Sequence, residues 1–231
     1  SLGDIFKNNR EEYDKKWDDL KVFIQYGMLT DEKFAERAQD IFLFKNTTGK
    51  YFTGEEYETL IRPNQTNTDN KIVYLYTTDA AEQYTYIEKA RSKGYDVLLM
   101  DGQLDTHFIH YLEQKNNDHT FTRVDADVID KLIKKSESKE TAWTQREQEE
   151  IRTVFNAQLP KEGAMYMVSF ESMGADHEPV TVTRSEFMRR MKEMAAMNPG
   201  MGFYGSMGDH FTLVVNTDHP LVEGVLKAEQ E

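Results

Sequence analysis

The sequence predicts an α/β unit joined to an α+β unit, and three observations carry that expectation. Residues 71–124 alternate short apolar runs with helical stretches at the spacing of a βαβ pattern. The residues before them show only helical periodicity. After a charged stretch at 134–143 the order changes to helix, strand, strand, helix, strand, helix. The expected organisation is a helical segment over 1–70, a small three-layer α/β unit with a parallel sheet over 71–135, and a mixed α+β domain over 136–231.

Each element has its own signal. In residues 4–26, Tyr13, Trp17, Leu20 and Ile24 recur as one apolar stripe, and Gly27 is placed to end that helix. Thr30 is the expected cap of the next helix, with Phe34, Ala38, Ile41 and Phe42 on one face. Thr53 and Glu56 have capping-box spacing, and Pro63 closes the short helix that follows. "KIVYLYTT" from Lys71 is a strand rich in branched and aromatic residues. A helix over 80–93 closes at Gly94, and "YDVLLM" is the apolar run of a strand covered on both faces. A helix over 104–115 and a strand near Phe121–Val124 complete the pattern.

The polar run 134–143 reads as a linker. Beyond it, Thr144 and Glu147 form a second capping box, and Ile151, Val154, Phe155 and Leu159 give that helix a buried face. Ala164, Tyr166, Val168 and Phe170 alternate along a strand, and "PVTVT" is the next one. Ser185 caps a helix over 186–197. A glycine-rich loop over 200–208, expected to be mobile, leads to strand 211–216 and a final helix with Pro220 in its first turn.

Composition narrows the function. Lys and Arg number 28 against 41 Asp and Glu, a net charge of −13. Such a surface repels phosphate backbones, so no nucleic-acid partner is expected. With no cysteine in the chain, disulfides, thiolate metal sites and a cysteine nucleophile are excluded, and a reducing, cytoplasmic location is the expectation. No apolar run approaches the roughly 20 residues that span a bilayer, so no membrane partner is expected.

Two stretches invite a functional reading. In "LLMDGQLDTHFIHYLEQ", Asp101 and Asp105 fall where a strand ends, beside His107 and His110. Open α/β sheets bind ligands at that edge, and three such groups could hold iron or zinc or serve acid–base chemistry. The plainer reading makes Asp101-Gly102 a turn and Asp105 an acidic residue in a helix's first turn. "GMGFYG" at 200–205 matches G-x-G-x-x-G, but it follows a helix and precedes a strand, the reverse of a dinucleotide site. The second stretch is compositional. Six of eleven methionines lie between 188 and 207, and Phe187, Met191, Met194 and Ala195 form one stripe, with Met188 and Met197 pointing partly elsewhere. Methionine suits surfaces that accept many partners, although a stripe at helical spacing also suits a core.

The order of these pieces resembles the heat shock protein 90 chaperone family, in its bacterial branch. "WDDLKVFIQYGMLTDEKFAERAQDIFLF" is similar to a helical stretch of that family's middle domain. "KIVYLYTTD" and "YIEKARSKGYDVLLMDGQLDTHFIHYLEQ" are similar to its next strand and the segment after it, and "FTLVVNTDHPLV" to a strand of its C-terminal domain. The resemblance implies the later part of a middle domain followed by most of a C-terminal domain, without the final dimerisation helices. It implies an ATP-driven homodimeric parent of the heat-shock response whose ATP- and Mg-binding domain lies outside this chain, so that no cofactor, metal or catalytic residue is expected here. It also implies partly folded client proteins as partners. Their expected contacts are Thr106, His107 and His110 at the start of one helix, and Phe187, Met188, Met191, Met194 and Ala195 on another. The rival reading is a metal-dependent or acid–base enzyme built on Asp101, Asp105, His107 and His110.

Overall fold

A computed structural model describes residues 1–133 and 140–230. The chain divides into two compact units, Ser1–Val124 and Asp125–Glu231. The linker read at 134–143 falls mostly on 134–139, outside the described residues.

The first unit opens with α1 (Leu2–Asn8) and α2 (Arg10–Thr30). The single helix expected over 4–26 is therefore broken at Asn9, whose side chain accepts from the Glu12 amide and starts a new helix. Nor does Gly27 end α2. It is helical, and a Cβ there would lie 2.6 Å from the Phe34 ring, so glycine serves close packing against α3 (Glu32–Ala38). The cap of α3 is Asp31, which accepts from the Phe34 amide, while the Thr30 hydroxyl turns back to the Tyr26 carbonyl. Residues 43–53, expected to be free of strands, form a hairpin of β1 (Leu43–Lys45) and β2 (Tyr51–Thr53). Its turn is organised by Asn46, whose Oδ1 accepts from the amides of Thr48 and Lys50, and by Gly49 at φ +80°. The Thr53–Glu56 capping box then opens α4 (Gly54–Ile61) as expected.

Next come β3 (Ile72–Thr77), α5 (Tyr84–Ser92), β4 (Val97–Leu99), α6 (Asp105–Lys115) and β5 (His119–Arg123). The α5 helix begins later than its pattern suggests, because Asp79 accepts from the amides of Ala81 and Glu82 and holds that stretch in a turn. Gly94 leaves α5 at φ +77°, a conformation that favours glycine. The three strands are parallel in the order β4-β3-β5. One aromatic-rich core joins the helical segment to this sheet. Tyr13 and Trp17 of α2 pack with Phe42 and Phe44, which meet Tyr57, Tyr74 and Phe108. The buried Tyr13 hydroxyl donates to the Ile41 carbonyl at 2.7 Å.

The second unit holds α7 (Ile129–Leu132), α8 (Gln145–Gln158), β6 (Ala164–Glu171), β7 (Val180–Arg184), α9 (Glu186–Met197), α10 (Gly202–Ser206), β8 (Asp209–Asn216) and α11 (Pro220–Gln230). The Thr144–Glu147 box and the Ser185 cap form as expected. Its sheet is mixed, in the order β6-β8-β7, with β6 parallel and β7 antiparallel to β8. Val168, Leu213 and Val215 face Val222 of α11, with Phe155 and Leu159 packed against them. The loop expected over 200–208 is instead a 3₁₀ turn at Pro199–Met201 followed by α10. Asn198 caps that turn, its side chain accepting from the Gly200 amide.

Candidate functional site

The carboxyl end of β4 settles what its carboxylates do. Asp105 is buried at the first position of α6, with the side chain turned toward α2. Its Oδ2 accepts from Lys21 Nζ and the Gly102 amide, and its Oδ1 from Gln25 Nε2, each at 2.7 Å. Lys21 and Gln25 are one turn apart on α2, so the carboxylate fastens that helix to the start of α6. Asp101 is exposed. Thr106 and His107 are half-buried in the first turn of α6, and exposed His110 has its Nε2 3.0 Å from Gln114 Nε2. A cleft of about 310 Å³ does open beside Leu99, Asp101 and Gln103. Its two lysines are committed elsewhere, Lys21 to Asp105 and Lys45 to Asp18. Among the described residues no three His, Asp or Glu side chains are grouped to hold a metal ion. The metal or acid–base centre read at Asp101, Asp105, His107 and His110 is therefore not assembled, because burial has given Asp105 a structural set of partners.

The second candidate is α9. Ser185 fixes its start by accepting from the Met188 amide. One side of the helix is polar and tied down. Buried Arg189 reaches Glu186 and Glu193 at 2.8 Å each, and Lys192 reaches Asp209 of β8 at 2.7 Å. The Lys192 ammonium holds the Asp209 carboxyl below its ordinary range, with Arg184 adding to the effect. Large apolar side chains are nonetheless open to water at both ends of α9. Phe187 is 62% exposed and Met197 52%, while Met188, Met191 and Met194 are half-buried. Ala195 is buried and faces the Gly205 backbone. The sulfur-rich ridge is thus partly seated in the domain and partly open to water.

Other exposed apolar groups in this unit lie outside the expectations drawn from sequence. Phe203 on α10 is 74% exposed, in a glycine-rich context that reads as a loop. Met165 and Met167 lie on β6 between the four residues assigned to the core face, and they are 61% and 64% exposed. The alternation that finds the buried face also marks these two as its opposite, so the sequence does carry a signal for them.

Comparison with known proteins decides the family. The family model "Hsp90 protein" matches residues 2–231. The chain belongs to the Hsp90 family. Chaperone protein htpG of Bacteroides fragilis strain YCH46 is 51% identical over 231 residues, all of this chain and 34% of that protein. Chaperone protein HtpG of Porphyromonas gingivalis strain ATCC 33277 is 48% identical with the same coverage. Among solved structures, the middle domain of a putative Plasmodium falciparum heat shock protein aligns at 17% identity, covering 55% of this chain and 52% of its own, with a TM-score of 0.43. The chain thus spans about a third of the length of the Hsp90-family relatives it matches. Both of these relatives are named as chaperone proteins.

Proposed function

We propose that this chain is the client-contacting portion of a chaperone, and that the outer edge of α9 binds partly folded proteins through weak apolar contacts. The observation that carries the reading is the exposure of Phe187 and Met197 on a helix whose charged side is engaged in ion pairs. Burying such a side chain contributes roughly 1.5–3 kcal/mol when complete, so a few half-buried methionines give modest, adaptable affinity. The surface comprises Phe187, Met188, Met191 and Met194, extended by Met197; Ala195, being buried, supports it from beneath. On the first unit, Thr106, His107 and His110 form a smaller contact, with only His110 exposed.

In the parent, this surface would serve an ATP-driven homodimer acting in the cytoplasm under stress, with ATP shifting the populations of states that expose it. The residues of this chain do not fit the nucleotide or its magnesium. The G-x-G-x-x-G stretch is a 3₁₀ turn and a five-residue helix, and no metal-binding group is assembled among the described residues.

The test is fluorescence titration of the chain with a labelled, chemically unfolded reporter protein. The double variant Phe187→Asp/Met197→Asp alters the two exposed large apolar side chains of α9 and is expected to keep its circular dichroism spectrum. It should bind at least about tenfold more weakly, the equivalent of ~1.4 kcal/mol. Equal affinity in a folded double variant would remove α9 from the proposal.

A further inference from the structure

The edges of the two three-stranded sheets are not treated alike. A strand edge presents unpaired N–H and C=O groups that pair readily with another extended chain, so proteins shorten, charge or cover such edges. In the first unit β4 is only three residues long, and its Val97 carbonyl accepts from the Thr47 amide at 2.9 Å, which seats the β1–β2 turn against it. On β5 the Phe121 amide donates to the Glu113 carboxylate at 2.7 Å, so a side chain supplies what a further strand would. In the second unit β7 is five residues long, follows Pro179, and its Arg184 amide donates to the Asp125 carbonyl at 2.9 Å.

The fourth edge, β6, has none of these devices. It is eight residues long and pairs only with β8. Among the described residues, no group outside β8 hydrogen-bonds the backbone of 164–170. The strand contains no proline or glycine, and its one charged side chain is Glu171 at the far end, paired with Lys131. Alternate residues of an edge strand aim their N–H and C=O groups away from the sheet. Beside that open edge, Met165 and Met167 stand two positions apart on one face, both largely exposed.

The occupant follows from the size and chemistry of the edge. Eight residues at about 3.3 Å each make a strip roughly 26 Å long, and at ~10 Å deep it offers about 260 Å². A stable contact between two folded proteins needs roughly 800 Å² on each. A second copy of this chain is therefore a poor occupant, whereas an extended segment gains main-chain hydrogen bonds along its whole length. Met165 and Met167 would meet alternate residues of that segment, and methionine adapts to apolar side chains of different shape. The net charge of −13 disfavours an acidic segment.

We propose that the open edge of β6 is a strand-addition site for an extended segment of another polypeptide, neutral or basic, with apolar residues at alternate positions. It is a surface separate from α9 and stands whether or not α9 binds a partner.

The probe is a fluorescent peptide of four Val-Thr repeats between two lysines, titrated into the full chain and read by anisotropy. Binding should saturate. N-methylation separates main-chain pairing from plain apolar contact, because an added strand uses the amides of alternate residues only. With the valine amides or the threonine amides methylated, at least one form should bind within about threefold of the parent peptide; with all eight methylated, affinity should fall at least about tenfold. On the protein, Met165→Thr/Met167→Thr keeps strand-forming residues at two exposed positions and should reduce affinity about threefold or more, with the circular dichroism spectrum unchanged. Absence of saturable binding, undiminished binding of the fully methylated peptide, equal tenfold losses in both half-methylated forms, or wild-type affinity in the folded double variant would each overturn the assignment. Self-association of the chain in sedimentation, removed by the same two substitutions, would also overturn it by making a second copy the occupant.

Discussion

Asp105 draws its role from three neighbours. A buried carboxylate must be paired, and Lys21, Gln25 and the Gly102 amide supply that pairing from one helix and one turn. Asp105→Ala would leave Lys21 and Gln25 without their acceptor, and a cost of about 2–4 kcal/mol is expected in urea unfolding. A change below about 0.5 kcal/mol would contradict the structural role. The sequence places Asp105 at a helix start but does not reveal Lys21 and Gln25 as its partners, since they lie 84 and 80 positions away along the chain. His119 offers a pH test at the same scale. Burial holds its imidazole below the ordinary value of 6.5, with Glu58 pulling the other way. The unfolded chain therefore takes up a proton on acidification before the folded chain does. The stabilising contribution is complete above about pH 6.5 and is lost as pH falls from there toward the lower folded value. His119→Gln should accordingly lose less melting temperature than the wild type between about pH 7.5 and pH 5.5; parallel losses would contradict the assignment.

Among the elements, those with a strong local signal are legible in the sequence. The two capping boxes, the Ser185 cap and the alternation of β6 all depend on residues within a few positions of one another, and all appear as expected. Expectation and structure part where a short-range rule is overridden. Gly27 resembles a helix terminator but serves the packing of Phe34, and the β1–β2 hairpin is too short for periodicity to reveal. Its turn chemistry, Asn46 with Gly49, is the available clue. Gly27→Ala separates the two roles. Helix propensity alone would stabilise by up to about 1 kcal/mol, but a Cβ 2.6 Å from the Phe34 ring must displace that ring. A net loss of about 1 kcal/mol is expected in thermal unfolding, and a gain would mean that the α2–α3 contact is loose. On α8, Thr144→Ala should cost about 1 kcal/mol through loss of the cap on the Glu147 amide, measured the same way.

For the molecule as a whole, the candidate surface is legible as composition but not as geometry. The clustering of methionines marks α9, whereas the division into exposed Phe187 and Met197, half-buried Met188, Met191 and Met194, and buried Ala195 depends on how the sheet and the ion pairs seat the helix. The central claim is that this ridge is reachable from water and is covered when a partly folded protein binds. Methionine oxidation by dilute peroxide, followed residue by residue by mass spectrometry with and without a saturating unfolded reporter, tests it directly, because thioethers oxidise according to their access. Met197 should oxidise much faster than buried Met28 and Met100, and the reporter should slow Met188, Met191, Met194 and Met197 together. If Met197 oxidises as slowly as Met28, or if the four rates are unchanged by the reporter, the account of this surface is wrong.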